Sequence, residues 1–237
     1  ISAVVTLLLD NGIEVSHTVS DFSHIKKYLD SDLHAFTQFY ETRLLLCNES
    51  VYSKCNKEII DCLTPKNQKK MLSDFFYDIQ ARYEKYGDSP KVLEPNVKYS
   101  AGGLRDFQAV EWMYFIKSKT LLNKQNETSQ AEAFIELLKE QNYTTPNECA
   151  RLLKSYKLVI AVRNLLHMLG NQKNDRFEFN MQQKIAAMFY PGKDSLQVFM
   201  REYFQATNVI HRFSKAMFKL FHEEISNQLP DSLAIDL

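Results

Sequence analysis

The chain has 237 residues, of which 45% are hydrophobic and 24% charged, a composition typical of a folded globular protein and unlike that of a disordered segment. Its 29 Lys and Arg balance its 29 Asp and Glu, so no overall field favours nucleic acid or an anionic membrane as a partner. Six Gly and six Pro are too few for a turn-rich β-sandwich or barrel, and they favour a fold of long helices.

The cysteines and the first residues of the chain indicate the cellular compartment in which we expect the protein. Four cysteines, Cys47, Cys55, Cys62 and Cys149, match neither a Cys-x-x-Cys pair nor a zinc ribbon, so we predict reduced, structural thiols. The apolar run at residues 3–9 is too short to span a bilayer and follows no basic residues. It predicts neither a signal peptide nor a membrane anchor, and we expect a cytoplasmic protein. Because Ile1 stands where a complete translation product carries Met, we expect the chain to belong to a longer protein.

The first residues indicate a helix, a strand and then helices. Residues 1–10 are typical of the end of an apolar helix, with Asn11-Gly12 as its stop. Residues 13–19 alternate apolar and polar side chains, which predicts a strand. The segment 20–23 offers helix-capping side chains, and from about residue 23 the pattern is helical.

Helix-start signals divide the rest of the chain. Thr64-Pro65 has the N-cap and first-turn residues of a helix, and the residues at 129–132 and 145–148 form the capping-box pattern. Gly170 is a natural helix stop. The predicted helices span residues 32–46, 65–86, 104–122, one beginning at residue 129, one from 145 to 170, and 195–227.

The longest stretch without a helical period, residues 87–103, runs into a glycine pair at the start of a helix. Gly102 and Gly103 would let the backbone approach a ligand, and Lys98 and Arg105 add positive charge on either side. This pattern favours a phosphate or nucleotide contact. The alternative is a purely structural turn, held by an ion pair from Arg105 to Glu94 or Asp106.

Several segments of the chain resemble one family. Residues 93–112 (LEPNVKYSAGGLRDFQAVEW) resemble the signature of the PII-protein uridylyltransferases, in which Glu-Pro-x-x-Lys runs into Gly-Gly-Leu-Arg-Asp and a helix. The same element is shared more loosely with glutamine-synthetase adenylyltransferases. Further similarities follow in family order: residues 7–21, the Glu-x-Arg-Leu segment with Glu41 and Arg43, the turn with Asp175 and Arg176, and residues 199–224.

The resemblance implies a fold and a role. It implies a mainly α protein, a helical bundle with a short α/β remnant of a nucleotidyltransferase domain at residues 1–22 and a helical domain of the uridylyltransferase type at 23–237. In the family reaction, UTP with Mg²⁺ donates UMP to a tyrosine hydroxyl of a PII-type signalling protein in nitrogen regulation. Lys98 and Arg105 would then offset phosphate charge, and Gly102 and Gly103 would supply backbone donors. The resemblance makes Glu94, Asp106, Glu41, Arg43, Asp175 and Arg176 structural residues of the motifs.

The catalytic unit of the superfamily is not recognisable in this sequence. That unit is a Gly-rich turn followed by Asp-x-Asp on a strand, because two Mg²⁺ ions are held against the triphosphate. Asp30-Ser31-Asp32 matches the Asp-x-Asp pattern but lies in a predicted helical region without a preceding Gly-rich turn. We therefore predict that this chain holds no metal and, by itself, transfers no nucleotide.

The histidines give no second catalytic pattern. None of the six is arranged as a metalloprotease zinc site. His17 could face a nucleotide cleft or be structural. The sequence leaves one alternative function open: a catalytically silent regulatory or protein-interaction module of a nucleotidyltransferase-like signalling protein.

Overall fold

The computed structural model describes residues 2–13, 15–17, 21–31, 33–42, 48–121, 129–170 and 172–227. Within these ranges the regular structure consists of ten helices and no strand. The chain divides into two compact units, Ile1–Cys62 and Leu63–Leu237. The mainly α, helical-bundle fold predicted from the sequence is thereby confirmed.

The first unit contains four helices, α1 to α4. The predicted stop of α1 is confirmed, since the helix ends just before Asn11 and Gly12 has φ of +72°. Ile13 and residues 15–17, the described part of the predicted strand, have no strand structure. The helices span Ser2–Asp10, Phe22–Ser31, Leu33–Tyr40 and Glu49–Cys62, and Ile25, Phe36, Tyr40 and Ile59 are buried.

The second unit contains six helices, α5 to α10, and most of their starts were predicted. Thr64 accepts a hydrogen bond from the Asn67 amide at 3.3 Å at the start of α5, and Ser129 forms the predicted capping box with Glu132. These caps act within one turn of chain, which is why sequence alone locates them. The helices span Pro65–Tyr86, Leu104–Ser118, Gln130–Glu140, Pro146–Gly170, Phe179–Phe189 and Ser195–Asn227.

Two helix ends and two whole helices differ from the sequence expectation. The helix predicted over residues 32–46 ends at Tyr40, and α4 was not predicted. Helix α6 ends at Ser118 rather than Leu122, because Lys119 adopts a left-handed conformation with φ of 58°. Helix α9 was not predicted, and its N-cap residue, Glu178, forms no side-chain cap. Ile185 and Ala186 of α9 are fully buried, so tertiary packing rather than a local start signal accounts for this helix.

Helix α6 is the central helix of the second unit. It contacts α5, α8 and α10, and nearly every residue from Leu104 to Ile116 is buried. A helix that is buried on nearly every side is typical of a core position, and here the buried residues include the charged Asp106 and Glu111. The loop before α6 is therefore attached at its end to the best-packed part of the unit.

Two further expectations concern helices and thiols. No helix in the described ranges is both long and apolar enough to cross a membrane. Cys55, Cys62 and Cys149 are reduced, with no disulfide bond, as predicted. Cys47 lies outside the described residues.

Candidate functional site

The loop between α5 and α6 is a compact turn held by its own polar groups. Asn96 Oδ1 accepts hydrogen bonds from the amides of Lys98 at 3.1 Å and Tyr99 at 2.8 Å. Ser100 Oγ accepts from the Asn96 amide at 2.9 Å. The Arg105 amide reaches back to the Lys98 carbonyl at 2.8 Å. The loop thus holds Lys98 and Arg105 in a defined geometry at the start of α6.

The glycine pair allows two close backbone approaches. Gly102 has φ of +74°, and a Cβ there would lie 2.1 Å from the Thr207 carbonyl oxygen of α10. A Cβ on Gly103 would lie 2.8 Å from the Ser100 carbonyl oxygen. Both positions therefore require glycine for packing.

The amides of both glycines are already bonded within the chain. The Gly102 amide donates to Asp106 Oδ2 at 2.7 Å, and the Gly103 amide donates to the Ser100 carbonyl at 2.8 Å. The expectation that they are free donors for a phosphate is wrong for this conformation, because intrachain acceptors occupy them. A nucleotide contact by this pair stays a prediction.

Asp106 is the centre of a buried cluster, which we call the Asp106 cluster: Asp106, Arg82, Tyr83, His211 and the Gly102 amide. Arg82 Nη2 lies 2.7 Å from Asp106 Oδ1, an ionic contact whose geometry is not that of a hydrogen bond. The Tyr83 hydroxyl donates to Oδ2 at 2.9 Å, and His211 Nδ1 lies 3.7 Å from the same oxygen. The carboxylate thus joins α5, α6 and α10.

Burial and charge act in opposite directions on this carboxyl. Burial disfavours its ionised form, but His211, Arg82 and the Gly102 amide together outweigh burial and hold the pKa of Asp106 below its ordinary value. Burial, strengthened by the neighbouring negative charge, raises the pKa of Tyr83. The cluster is therefore an ionised aspartate solvated by the protein instead of by water.

The ion pair from Arg105 to Asp106 or Glu94, the alternative interpretation from sequence, is wrong. Asp106 pairs with Arg82, and Arg82 Nη1 also donates to the Tyr99 carbonyl at 3.1 Å. The sequence did not lead us to expect Arg82 as the partner of Asp106. One signal was available, since Arg82 continues the helical spacing of the buried apolar residues of α5.

Two motif segments far apart in sequence meet beside the loop. Glu94 Oε2 lies 2.7 Å from Arg176 Nη2, and Oε1 accepts from the Phe179 amide at 3.0 Å. An isolated antiparallel bridge pairs Asn96 with Arg176. The hydrogen bonds from Phe179 and Arg176 lower the pKa of Glu94.

A second carboxylate, Asp175, lies in the same segment and forms what we call the Asp175 cluster with Arg163 and His167. Arg163 Nε lies 2.8 Å and His167 Nε2 2.9 Å from Asp175 Oδ1. Burial opposes ionisation of Asp175, but Arg163 and His167 outweigh it and lower its pKa. The cluster fixes the 174–177 turn to α8.

Cations and aromatic rings converge on the surface of the loop. We call Lys85, Tyr86, Lys98, Tyr99 and Arg105 the cation–aromatic patch. The rings of Tyr86 and Tyr99 stack with centroids 5.3 Å apart. Lys98 Nζ lies 4.8 Å and the Arg105 guanidinium 5.6 Å from the Tyr99 centroid, and Arg105 also lies over Trp112 at 4.7 Å.

The patch keeps its positive charge. Across the part of the chain that the structure describes, no carboxylate lies within ion-pair distance of Lys98 or Arg105. Partial burial would raise the pKa of Tyr99, but Lys98 and Arg105 favour the phenolate and lower it. The arrangement can attract an anion and offer it a ring face.

Comparison with known proteins identifies the family. The model of the GlnD PII-uridylyltransferase family matches residues 69–218. The chain belongs to the PII-uridylyltransferase family. Three relatives are similar to it over 95% of this chain, and each is named bifunctional uridylyltransferase/uridylyl-removing enzyme. The relatives from Ectopseudomonas mendocina and Pseudomonas fluorescens strain SBW25 are each 30% identical to this chain. The relative from Pseudomonas aeruginosa strain LESB58 is 28% identical. The match covers 24% of each relative's length, and no solved structure matches the chain.

The family match covers the loop, the Asp106 cluster and the Asp175 cluster, whereas the other predicted residues belong to the first unit. Glu41 is exposed just after α3, His17 is exposed, and Asp30 belongs to α2. Arg43 and Asp32 lie outside the described residues. Among the residues that can be described, no three His, Cys, Asp or Glu side chains are grouped so that they could hold a metal ion.

Proposed function

We propose that this chain is the helical, substrate- and nucleotide-supporting part of a protein nucleotidyltransferase. The reaction is transfer of UMP from UTP to a PII-type signalling protein, and we expect it in the cytoplasm. Membership of the PII-uridylyltransferase family supports this role. The observation that carries it is that Lys98 and Arg105 both lie against the Tyr99 ring, at 4.8 and 5.6 Å from its centroid, without a carboxylate partner in the described ranges.

The geometry suggests how the loop supports phosphate chemistry. A cation over a ring face keeps its full charge, whereas one paired with a carboxylate has that charge largely neutralised. Lys98 and Arg105 would therefore offset negative charge on the phosphates as it develops during transfer. The Asp106 cluster and the two glycines position these cations.

The described residues do not fit the Mg²⁺ that the family resemblance implies. No group of three potential ligands is present among them, and the Asp106 oxygens contact Arg82, Tyr83 and the Gly102 amide. We propose that the carboxylates that hold metal belong to other parts of the complete enzyme. We derive no step of the reaction through the metal from this chain.

The test is steady-state kinetics of the complete enzyme with UTP, Mg²⁺ and a PII-type protein. We expect Lys98→Ala and Arg105→Ala each to lower kcat/KM by about tenfold or more, equivalent to about 1.4 kcal/mol. The melting temperature should change little, because both side chains are partly exposed. Arg201→Ala, which removes an exposed arginine from α10, is the matched control and should leave the rate unchanged.

Two results would contradict the proposal. Unchanged activity per folded molecule in both variants would favour the alternative, a catalytically silent regulatory or protein-interaction module. Nucleotide transfer by the 237-residue chain alone would show that the metal-holding carboxylates are in this chain after all.

A further inference from the structure

A cleft between α8 and α10 is not used by the proposed function. Its cavity has a volume of about 310 Å³, at the lower end of the range for small-molecule sites. No residue of the loop at 93–106 lines it. Its walls come from the α7–α8 connection, α8 and α10, and they include Tyr143, Arg151, Arg212, Phe213, Ala216 and Met217.

Two arginines from different helices give the cleft a positive charge. Arg151 lies on α8 and Arg212 on α10, and both line the cavity. In the described ranges neither arginine has a carboxylate within ion-pair distance. An anion between them would gain two charge-assisted partners.

Among the described residues, one carboxylate lines this cavity, and it is already bonded. Glu148 accepts hydrogen bonds from the Thr145 amide at 2.9 Å and hydroxyl at 2.8 Å. These bonds lower the pKa of Glu148, to which the charge of Arg151 adds a smaller contribution. Two cations therefore face one carboxylate that caps α8, and the cleft keeps a net positive charge.

The cleft also has apolar lining that is already packed. Met217 is buried, and the Phe213 ring packs on Phe107 with centroids 6.3 Å apart. Tyr143 packs edge-on against Tyr114 and is contacted by Lys117 Nζ at 3.4 Å. A ligand would thus meet an existing apolar surface rather than one it must order.

We propose that this cleft binds a small amphiphilic anion, a molecule with one carboxylate or phosphate head and an apolar body. The head would lie between Arg151 and Arg212, and the body would lie on Phe213 and Met217. Either head group has the charge and the planar or tetrahedral oxygens that arginine recognises.

Isothermal titration of the 237-residue chain with two probes, phenyl phosphate and 3-phenylpropionate, tests the site and identifies the head group. We expect at least one probe to bind. Inorganic phosphate lacks the apolar body, and 3-phenylpropan-1-ol lacks the charge. Each should bind at least about tenfold more weakly than the better probe, a loss of about 1.4 kcal/mol or more.

Variants locate the binding. Arg212→Ala should weaken the affinity for the probe about tenfold, as expected for loss of a charge-assisted contact. Ala216→Trp should abolish binding, because the indole would fill the cleft. The control is Lys215→Trp, which places the same side chain at a neighbouring exposed position that does not line the cavity. This variant should bind the probe with unchanged affinity. The proposal is overturned if neither probe binds, or if binding survives both Arg212→Ala and Ala216→Trp unchanged.

Discussion

The Asp106 and Asp175 clusters share three kinds of side chain but differ in their burial. Each joins an aspartate to an arginine and a histidine from other parts of the fold. The Asp106 side chain is 0% exposed and that of Asp175 16% exposed. Water can therefore replace a lost partner at Asp175, but not at Asp106.

This difference in burial distinguishes a cluster that stabilises the packing of three helices from one that fixes a single turn. Removing one partner of a fully buried ion pair leaves an uncompensated charge, whereas solvent screens a pair near the surface. Asp106 also fixes Gly102 and, through Arg82, Tyr99. We expect the buried cluster to determine whether the cation–aromatic patch forms at all.

The largest expected effect is that of Asp106→Asn. The amide keeps the shape but removes the charge that compensates Arg82, so the free energy of unfolding should fall by about 3–5 kcal/mol. Urea unfolding measures this change. Asp175→Asn is the matched control, with an expected loss of about 1–2 kcal/mol. Equal losses for the two variants would show that burial does not distinguish the clusters.

The next largest effect concerns the close approach that the Asp106 cluster fixes. Gly102→Ala would place Cβ 2.1 Å from the Thr207 carbonyl oxygen at positive φ, and we expect a loss of about 2–4 kcal/mol. Gly87→Ala is the control, because φ there is +87° and the nearest atom is Val92 Cγ2 at 3.8 Å. The Gly87→Ala variant has only the conformational cost of positive φ, about 1–3 kcal/mol. A Gly102→Ala variant no less stable than Gly87→Ala would exclude a tight contact with α10.

The smallest effect is the acid dependence of the two carboxyls. Both folded pKa values lie below the ordinary 3.8, so the unfolded chain binds protons more readily. The stability they contribute is complete above about pH 5 and is lost as pH falls below about 4. In urea unfolding at a series of pH values, Asp175→Asn should lose less stability between about pH 5 and 3 than the unsubstituted chain. An unchanged pH slope would contradict the lowered pKa of Asp175.

Helix starts and stops were predictable because their causes lie within a few residues. The caps at Thr64 and Ser129, the end of α5 before Gly87 and the full extent of α10 are confirmed. Helix α9 was not predictable in this way, since it lacks a side-chain cap and is stabilised by burial of Ile185 and Ala186.

The sequence by itself determined the family and the helical class, since these depend on motif order and local periodicity. Only the tertiary structure decided which charges meet. Asp106 pairs with Arg82 of α5 instead of its neighbour Arg105, and Glu94 pairs with Arg176. The physical reason is that a buried charge needs a partner in three dimensions. Helix packing brings Arg82 to Asp106, while Arg105, the residue before Asp106 in α6, lies over Tyr99 and Trp112.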